Sequence, residues 1–426
     1  CRSGPKAYSV VRSGTSRVRS NGRAATEEPP FFPAPRTCPF DAPAKYTEFR
    51  ETGGLHQVTI WDGSHHWLAT RHEDIRAVLS SPSFSADVRK PGFPLVHPGQ
   101  DEHQGGLFLR LDDPEHARLR QMLTKEFSVK RTQAMREKLL AITDELIDGM
   151  LAKGGPVDFV EDFALPLPSL AICLILGVPY EDHDMFQQHA NAGTDLDVSP
   201  EERARLQREA FEYYTALVER KRREPADDMV SRLLADHTGP DGFTPEMLPR
   251  LVAILVGAGH ETTANMLGLG TVALLVNPGE RERLRDHPEL APGAAEEMLR
   301  YWSIVSTDPR RVATEDVEVG GQLVRAGEGV IVSLVAGNRD PRAFGGGEGG
   351  CPADQVDIGR RARHHVAFGF GSHQCLGQNL ARVEMQVAWP RLFERIPGLR
   401  LAVPEDELPF KKNSIVYGLT SLPVTW

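Results

Sequence analysis

The chain is poor in cysteine and has no long apolar run, and both absences narrow what it can be. Its five cysteines are scattered among 426 residues without a Cys-x-x-Cys pair. A disulfide framework and a structural zinc site are therefore not indicated, and a reducing, cytoplasmic setting is expected. The longest apolar region, residues 251–276, carries His260 and Glu261 in its middle, whereas a membrane span needs about 20 uninterrupted apolar residues.

The chain also lacks an excess of basic charge. Its formal net charge is −10, whereas a surface that binds nucleic acid needs clustered Lys and Arg to meet the phosphates, so no nucleic-acid partner is expected. The first 26 residues are the exception, with six Lys or Arg and no acidic residue. A tag, a misassigned start and a transit peptide would all have this composition. We expect residues 1-28 to form a disordered basic tail.

Helical periodicity dominates the remainder of the chain. Apolar positions at helical spacing predict helices at residues 114–127, 131–151, 167–176, 201–222, 247–276, 291–302 and 376–393. Strands are predicted at residues 58–61, 66–70, 317–319, 322–324 and 329–334, with a C-terminal hairpin around Tyr417 and Gly418 and a long loop at residues 89–106. Because helix outweighs strand and the two do not alternate, residues 29-426 are predicted to form a single, mainly α domain with a small β part (α+β).

One cysteine carries the strongest chemical signal. The segment Phe368-Gly-Phe-Gly-Ser-His-Gln-Cys-Leu-Gly377, the cysteine loop, places Cys375 at the start of a predicted helix. The free amides and dipole of a helix start favour thiolate, the form that ligates iron, so we expect a lowered pKa for Cys375. A lone cysteine is more often a small buried residue. However, Phe-x-x-Gly-x-His-x-Cys-x-Gly would occur by chance in on the order of one such chain in ten thousand.

A second segment, Gly257-Ala-Gly-His-Glu-Thr-Thr263, interrupts the longest predicted helix with small and polar residues. Ala258 and Gly259 leave room for a flat ligand beside the helix, and the Thr262 hydroxyl can donate to the Ala258 carbonyl four residues earlier. Glu261 and Thr262 together are suited to delivering protons. A kinked core helix with a satisfied threonine explains this segment, taken alone, at least as well.

These segments resemble those of the cytochrome P-450 superfamily, and most closely its soluble actinobacterial members. The cysteine loop resembles the haem-binding signature, and residues 258–262 resemble the oxygen-activation motif Ala/Gly-Gly-x-Asp/Glu-Thr. The resemblance covers roughly residues 30–426. It implies a roughly triangular fold with haem b between a long central helix and the helix after the cysteine loop, with Cys375 as the iron ligand.

The resemblance also implies roles for individual residues. Thr262 would hydrogen-bond the bound dioxygen, Glu261 would help to relay protons, and His260 would lie on the other side of the helix. The haem propionates would be bound by His116, Arg120, Arg311 and His373. The residues expected to border the ring itself are Phe368, Gly369, Ala258, Gly259 and Gly377.

Other residues are expected to support the fold or to depart from the family. Glu297 and Arg300 are three apart on one helix face, where an exposed pair would be worth little, but the resemblance implies a buried structural pair. The usual third partner falls on Gln355, a neutral amide, which predicts a weaker triad. The Gly-rich insert at residues 345–350 is a second departure. Pro390 is the third, and it is expected to kink or end the helix after Cys375.

The implied function is a monooxygenase that inserts one oxygen atom of O2 into a hydrophobic small molecule. Because no Gly-x-Gly-x-x-Gly motif follows a strand, electrons are expected from a separate ferredoxin and ferredoxin reductase, which could dock at Arg118, Lys125, Arg361 and Arg363. A monomer is expected, with a substrate pocket formed by residues 83–106, 255–259 and 305–307 and the chain near 415. A haem-binding sensor or carrier remains an alternative, as does a nitric oxide reductase of the same superfamily. Nitric oxide reductases and fatty-acid peroxygenases lose or replace the acid–threonine pair, which is intact here.

Overall fold

The structure is a computed structural model that describes residues 28–98, 108–179, 198–237, 242–345, 350–412 and 414–426. The tail at residues 1-28, apart from its last residue, lies outside the described residues. Parts of the predicted 89–106 loop and of the Gly-rich insert at 345–350 also lie outside them.

The described residues are mainly helical, as predicted. In chain order, their α-helices are α1 (Ala44–Thr52), α2 (His72–Ser80), α3 (Glu115–Thr124), α4 (Val129–Ala134), α5 (Arg136–Lys153), α6 (Pro166–Leu176), α7 (Pro200–Arg223), α8 (Met229–Asp236), α9 (Met247–Leu275), α10 (Pro278–Asp286), α11 (Ala291–Trp302), α12 (Leu334–Asn338), α13 (Pro341–Phe344) and α14 (Gln378–Arg395). The helix predicted at 131–151 is instead two helices, α4 and α5, which meet at Met135. Both α4 and α5 pack against α14.

The strands form small sheets at the edges of the helical core. They are β1 (His56–Thr59), β2 (His65–Ala69), β3 (Phe84–Ser85), β4 (Val157–Asp158), β5 (Arg310–Ala313), β6 (Val317–Val319), β7 (Gln322–Val324), β8 (Gly329–Val332), β9 (Arg400–Leu401) and β10 (Pro423–Thr425). The largest described sheet has the order β1-β2-β8-β5-β3, in which only the β2–β8 pair is parallel. Strands β4, β10 and β9 form a second sheet, and β6 pairs with β7.

The predicted C-terminal hairpin around Tyr417 is wrong. The Lys411 amide donates to the Gly418 carbonyl at 2.9 Å, and the Thr420 amide donates to the Pro409 carbonyl at 3.0 Å. Residues 418–420 therefore run beside residues 409–411, and Tyr417 does not form the turn. Its ring is buried and its hydroxyl donates to the Pro39 carbonyl at 2.8 Å, so packing with distant residues decides its position.

Helix α9 passes through the centre of the molecule and is buried along most of its length. Helix α14 follows the cysteine loop and packs against α9 through Trp389, whose indole nitrogen donates to the Thr271 hydroxyl at 3.2 Å. Pro390 was expected to kink or end this helix, and it does not end it, because α14 continues to Arg395. Beyond the proline, Arg391 and Arg395 each bind Asp144 of α5, at 2.7 and 2.8 Å, and these ion pairs hold the last turns in place.

Candidate active site

The cysteine loop turns back on itself before α14 begins. Gly369 and Gly371 have positive φ values of 71° and 76°, which glycine adopts without steric cost. At Gly371 an added Cβ would lie 2.4 Å from the Leu79 carbonyl oxygen, so this position also needs glycine for close packing. The Cys375 amide donates to the Phe368 carbonyl at 2.8 Å. The loop thereby presents the Cys375 side chain to an internal cavity.

The surroundings of Cys375 act on its pKa in opposite directions. Burial of the thiol raises the pKa, whereas the Gly377 and Gln378 amides and the charges of Arg120 and Arg382 lower it. Burial outweighs these contributions, so the expectation of a lowered pKa is wrong for the protein alone. The amides at the helix start act to stabilise thiolate, as expected, and the Cys375 side chain itself remains exposed at the cavity. A metal cation at the sulfur would reverse this balance, since a coordinated thiol is deprotonated outright.

Helix α9 forms the wall of the cavity that faces Cys375. Thr262, Ala258 and Gly259 line it, and the cavity volume is about 300 Å³. The Thr262 hydroxyl donates to the Ala258 carbonyl at 2.6 Å, which confirms the predicted bond. An added Cβ on Gly259 would lie 3.1 Å from the Ile172 side chain. The glycine therefore also permits the close approach of α6.

Glu261 is not among the described residues that line this cavity. Its side chain is 1% exposed, and it forms an ion pair with Lys411 through Oε1. Asn265 donates to the same oxygen at 2.8 Å, while Oε2 accepts no hydrogen bond from the described residues. Burial acts to raise the pKa of Glu261, but the Lys411 charge and the bonds from Lys411 and Asn265 lower it overall. His260 is buried too and is not among the described residues that line the cavity.

The residues predicted to bind propionates gather at one edge of the cavity. His116 and His373 stack with ring centroids 3.9 Å apart, and both line the cavity with Arg120. Arg311 is buried and is not among the described lining residues, but its positive charge helps to lower the pKa of both histidines. Burial is the first cause of a lowered pKa at all four, to about 10 for Arg311 and about 3 for His373.

These observations fit a haem. His116 accepts or donates at Nδ1 with Asp113 at 3.1 Å, while its buried Nε2 has no partner among the described residues. Anionic carboxylates at this edge would supply that partner and stabilise the positive charges of Arg120 and Arg311, as two propionates would. Phe368, Gly369 and Gly377 line the same cavity. The chain thus offers a thiol ligand, largely apolar walls and a cationic edge that could bind carboxylates.

The structural charge pair is buried and has a third partner that was not predicted. Arg300 and Glu297 are both 0% exposed, and two hydrogen bonds of 2.7 Å join them. Gln355 contributes its backbone carbonyl to Arg300 at 3.0 Å. The missing charge comes from Arg360, whose Nε donates to Glu297 at 3.2 Å. The weaker triad expected from the neutral Gln355 is therefore offset, because Arg360, five residues after Gln355, donates to the Glu297 carboxylate.

The predicted substrate pocket is only partly confirmed. Leu255, Ala258, Gly259 and Val305 line the cavity, together with Leu109. Ile415 and residues 83–98 are not among the described lining residues, and residues 99–106 lie outside the described chain.

Three ionisable groups in or behind the cavity wall were not predicted from the sequence. Glu384 of α14 lines it, and burial raises the pKa of this carboxyl to about 8. Asp308 also lines it and binds Arg110 and Arg310, each at 3.0 Å. Lys411 holds Glu261. Glu384 alone had a local signal, since it lies at helical spacing between the apolar residues Leu380 and Val387; the other contacts join distant parts of the chain.

Comparisons with known proteins cover almost the whole chain. The family model described as cytochrome P-450 matches residues 198–419. The chain is 48% identical to cytochrome P-450-SU2 of Streptomyces griseolus, over 95% of this chain and 99% of that one. It is 44% identical to pentalenic acid synthase of Streptomyces avermitilis, over 93% and 98%. The crystal structure of mycinamicin VIII C21 methyl hydroxylase from Micromonospora griseorubida, bound to mycinamicin VIII, matches with a TM-score of 0.87 and 38% identity, over 93% of this chain and 100% of that one.

Proposed function

This chain belongs to the cytochrome P-450 family and is a monooxygenase of that family, and we propose that it inserts one oxygen atom of O2 into a hydrophobic small molecule, with electrons from a separate ferredoxin. The observation that carries the proposal is the placement of Cys375 and Thr262 around one apolar cavity. We propose haem b as the cofactor, Cys375 as its iron ligand, and His116, Arg120, Arg311 and His373 as its propionate partners.

When bound, haem supplies the redox chemistry that activates O2, and the protein supplies position, charge and proton access. The Thr262 hydroxyl occupies the cavity wall, where it can turn from the Ala258 carbonyl toward a ligand. Glu261 precedes Thr262 in the chain, and its carboxylate is paired with Lys411. We propose that protons pass from Glu261 to the Thr262 side of the cavity when this pair opens. Oε2, which has no partner among the described residues, is the atom that would take up the proton.

The substrate is proposed to be apolar with few polar groups. The described walls include Leu255, Met266, Ile304, Val305 and Leu334, and apolar walls with a few placed polar groups are typical of small-molecule sites. The mycinamicin VIII C21 methyl hydroxylase, among the relatives, is named for hydroxylation of a methyl carbon, and an apolar molecule with such a carbon would suit these walls. A molecule of this kind is what we propose for this chain.

The ferredoxin is proposed to dock on the Cys375 side of the molecule. A concavity of about 400 Å³ there is lined by Arg360, Arg361, Arg363 and Arg382. Arg361 and Arg363 are exposed, and clustered exposed cations on an otherwise acidic protein attract an acidic partner. Reversal of Arg363 to Glu should lower ferredoxin-supported turnover at low salt, whereas reversal of exposed Arg222 on α7 should not. Equal effects of the two substitutions would refute the docking site.

The central test is the absorption spectrum of the reduced protein with carbon monoxide. A thiolate ligand gives a strongly red-shifted Soret band, which should be lost in Cys375→Ala. A band at the position of histidine-ligated haem, or one that persists in Cys375→Ala, would contradict the proposal. Substrate-dependent NAD(P)H oxidation with surrogate redox partners then separates an oxygenase from a sensor or carrier, because only the oxygenase forms hydroxylated product.

A further inference from the structure

A buried charge network braces the cysteine loop from the side of α14. Arg382 of α14 donates to Glu296 of α11 through Nε at 2.6 Å and through Nη2 at 3.1 Å. The second carboxylate oxygen also meets His365 Nε2 at 3.0 Å. The side chains of Arg382, Glu296 and His365 are 15%, 12% and 1% exposed. A bidentate pair with so little exposure is rigid and only weakly screened by salt.

The hydrogen bonds define the charge of this network. The Ala367 amide donates to His365 Nδ1 at 3.1 Å, so Nε2 carries the proton and donates to Glu296. Burial lowers the pKa of His365, which is consistent with a neutral ring. Burial acts to raise the pKa of Glu296, but the bonds from His365 and Arg382 lower it to about 2. At neutral pH the network therefore contains one positive charge on Arg382 and one negative charge on Glu296.

The positive member of the pair lies on Phe368, the first residue of the cysteine loop. The Arg382 guanidinium is 4.6 Å from the centre of the Phe368 ring, within the range of a cation–π contact. The ring of His365 lies beside it, with centroids 5.8 Å apart. Phe368 in turn lines the cavity that Cys375 faces. Arg382 thus fixes the ring next to the thiol and brings a charge to the thiol side of the site.

We infer that Arg382 is a positioning residue for the cysteine loop and that Glu296 is its counter-charge, and that together they set the reduction potential of haem held at Cys375. This inference rests on the proposed role of Cys375. One-electron reduction of ferric haem adds one negative charge to the site, so a nearby cation favours the reduced form and a nearby anion opposes it. The electron comes from an external mediator dye or ferredoxin.

The inference predicts shifts of opposite sign from two substitutions in the same network. Glu296→Gln leaves Arg382 uncompensated and should raise the midpoint potential. Arg382→Met leaves Glu296 uncompensated and should lower it. At a fixed applied potential, each should change the ratio of reduced to oxidised haem by roughly threefold to tenfold. Arg382→Lys keeps the charge and should stay near the wild-type potential, while loss of the flat contact with Phe368 should reduce the fraction of protein with the thiolate band.

A matched control lies on the same helix. Arg391 binds Asp144 through Nε and Nη2 at 2.7 and 3.1 Å, but it lies nine residues beyond Arg382, or roughly 13 Å along the helix. Asp144→Asn and Arg391→Met should therefore leave the potential unchanged. The measurement is a potentiometric titration of haem-loaded protein with mediator dyes, with the carbon monoxide spectrum of each variant recorded alongside it.

The possible outcomes separate the two proposals. If wild-type protein lacks the red-shifted band, the proposed role of Cys375 fails before any potential is compared. If the band is present but Glu296→Gln and Arg382→Met shift the potential in the same direction, or not at all, the charge role of the network is overturned. If Arg382→Met binds no haem, Glu296→Gln and Arg382→Lys decide, because only Glu296→Gln should then raise the potential.

Discussion

Replacement of Glu384 by Gln should remove a pH-dependent loss of stability. Burial raises the pKa of this carboxyl from 4.5 to about 8, and its Oε2 has no hydrogen-bond partner among the described residues. Below the unfolded pKa the carboxyl is protonated in both states. As the pH rises from there toward the folded pKa, the unfolded chain releases the proton while the folded protein retains it. The free energy of unfolding therefore falls.

The size of the effect follows from the two pKa values. One pH unit within this window corresponds to about 1.4 kcal/mol. Between about pH 5 and about pH 8 the wild-type protein should lose roughly 3 to 4 kcal/mol of stability from Glu384 alone. Glutamine resembles the neutral acid in shape and does not titrate, so Glu384→Gln should become more stable than wild type by about this amount over the same window.

Urea unfolding of the two haem-loaded proteins at several pH values measures this difference, provided that the m-values agree. Glu394→Gln is the matched control, because Glu394 lies on the same helix but is 65% exposed. Because an exposed pair contributes little, the control should differ from wild type only slightly between about pH 5 and about pH 8. A difference between Glu384→Gln and wild type that is flat from about pH 5 to about pH 8 would refute the assignment of Glu384 as a buried neutral acid.

Three further substitutions test other parts of the structure. Arg300→Met leaves Glu297 buried without its main partner and should destabilise the protein by about 3–5 kcal/mol, which calorimetry would show as a large fall in Tm. Gly371→Ala introduces a Cβ at a φ of 76° and should lower haem content, measured by the ratio of Soret to protein absorbance; full occupancy would argue against the tight loop. Lys411→Met removes the charge that holds the pKa of Glu261 low. The pKa of Glu261 should therefore rise. The ion pair contributes stability above the unfolded pKa of Glu261, and this stability is lost as the pH falls through the folded pKa, so it should be absent from Lys411→Met at every pH. An unchanged acid-unfolding midpoint would contradict the ion pair.

Local sequence patterns predicted the helices of ten residues or more, apart from the break at Met135, and the family of the protein; the shorter helices α1, α2, α8, α10, α12 and α13 were not predicted. The spacing of apolar residues located α7, α9 and α11 to within one residue at each end, because a long amphipathic or apolar helix repeats this pattern over several turns. The cysteine loop and the segment around Thr262 were recognisable because their residues are adjacent in the chain. Short, weakly periodic elements were predicted less well, since the pairing of β3 and β10 depends on strands far away in the sequence.

What the sequence determined by itself is therefore the chemistry that adjacent residues carry: a cysteine at a helix start, a threonine bonded to the carbonyl one turn earlier, and long apolar helices to bury both. The tertiary structure alone decided which charges meet. It paired Glu261 with Lys411 and brought Arg360 to Glu297, where Gln355 predicted a weaker triad. It also buried Glu384 with its Oε2 lacking a partner among the described residues. The tertiary structure also decided the direction in which the pKa of Cys375 is shifted. Burial and Coulomb energy depend on all neighbours in space, and most of those neighbours are far apart along the chain.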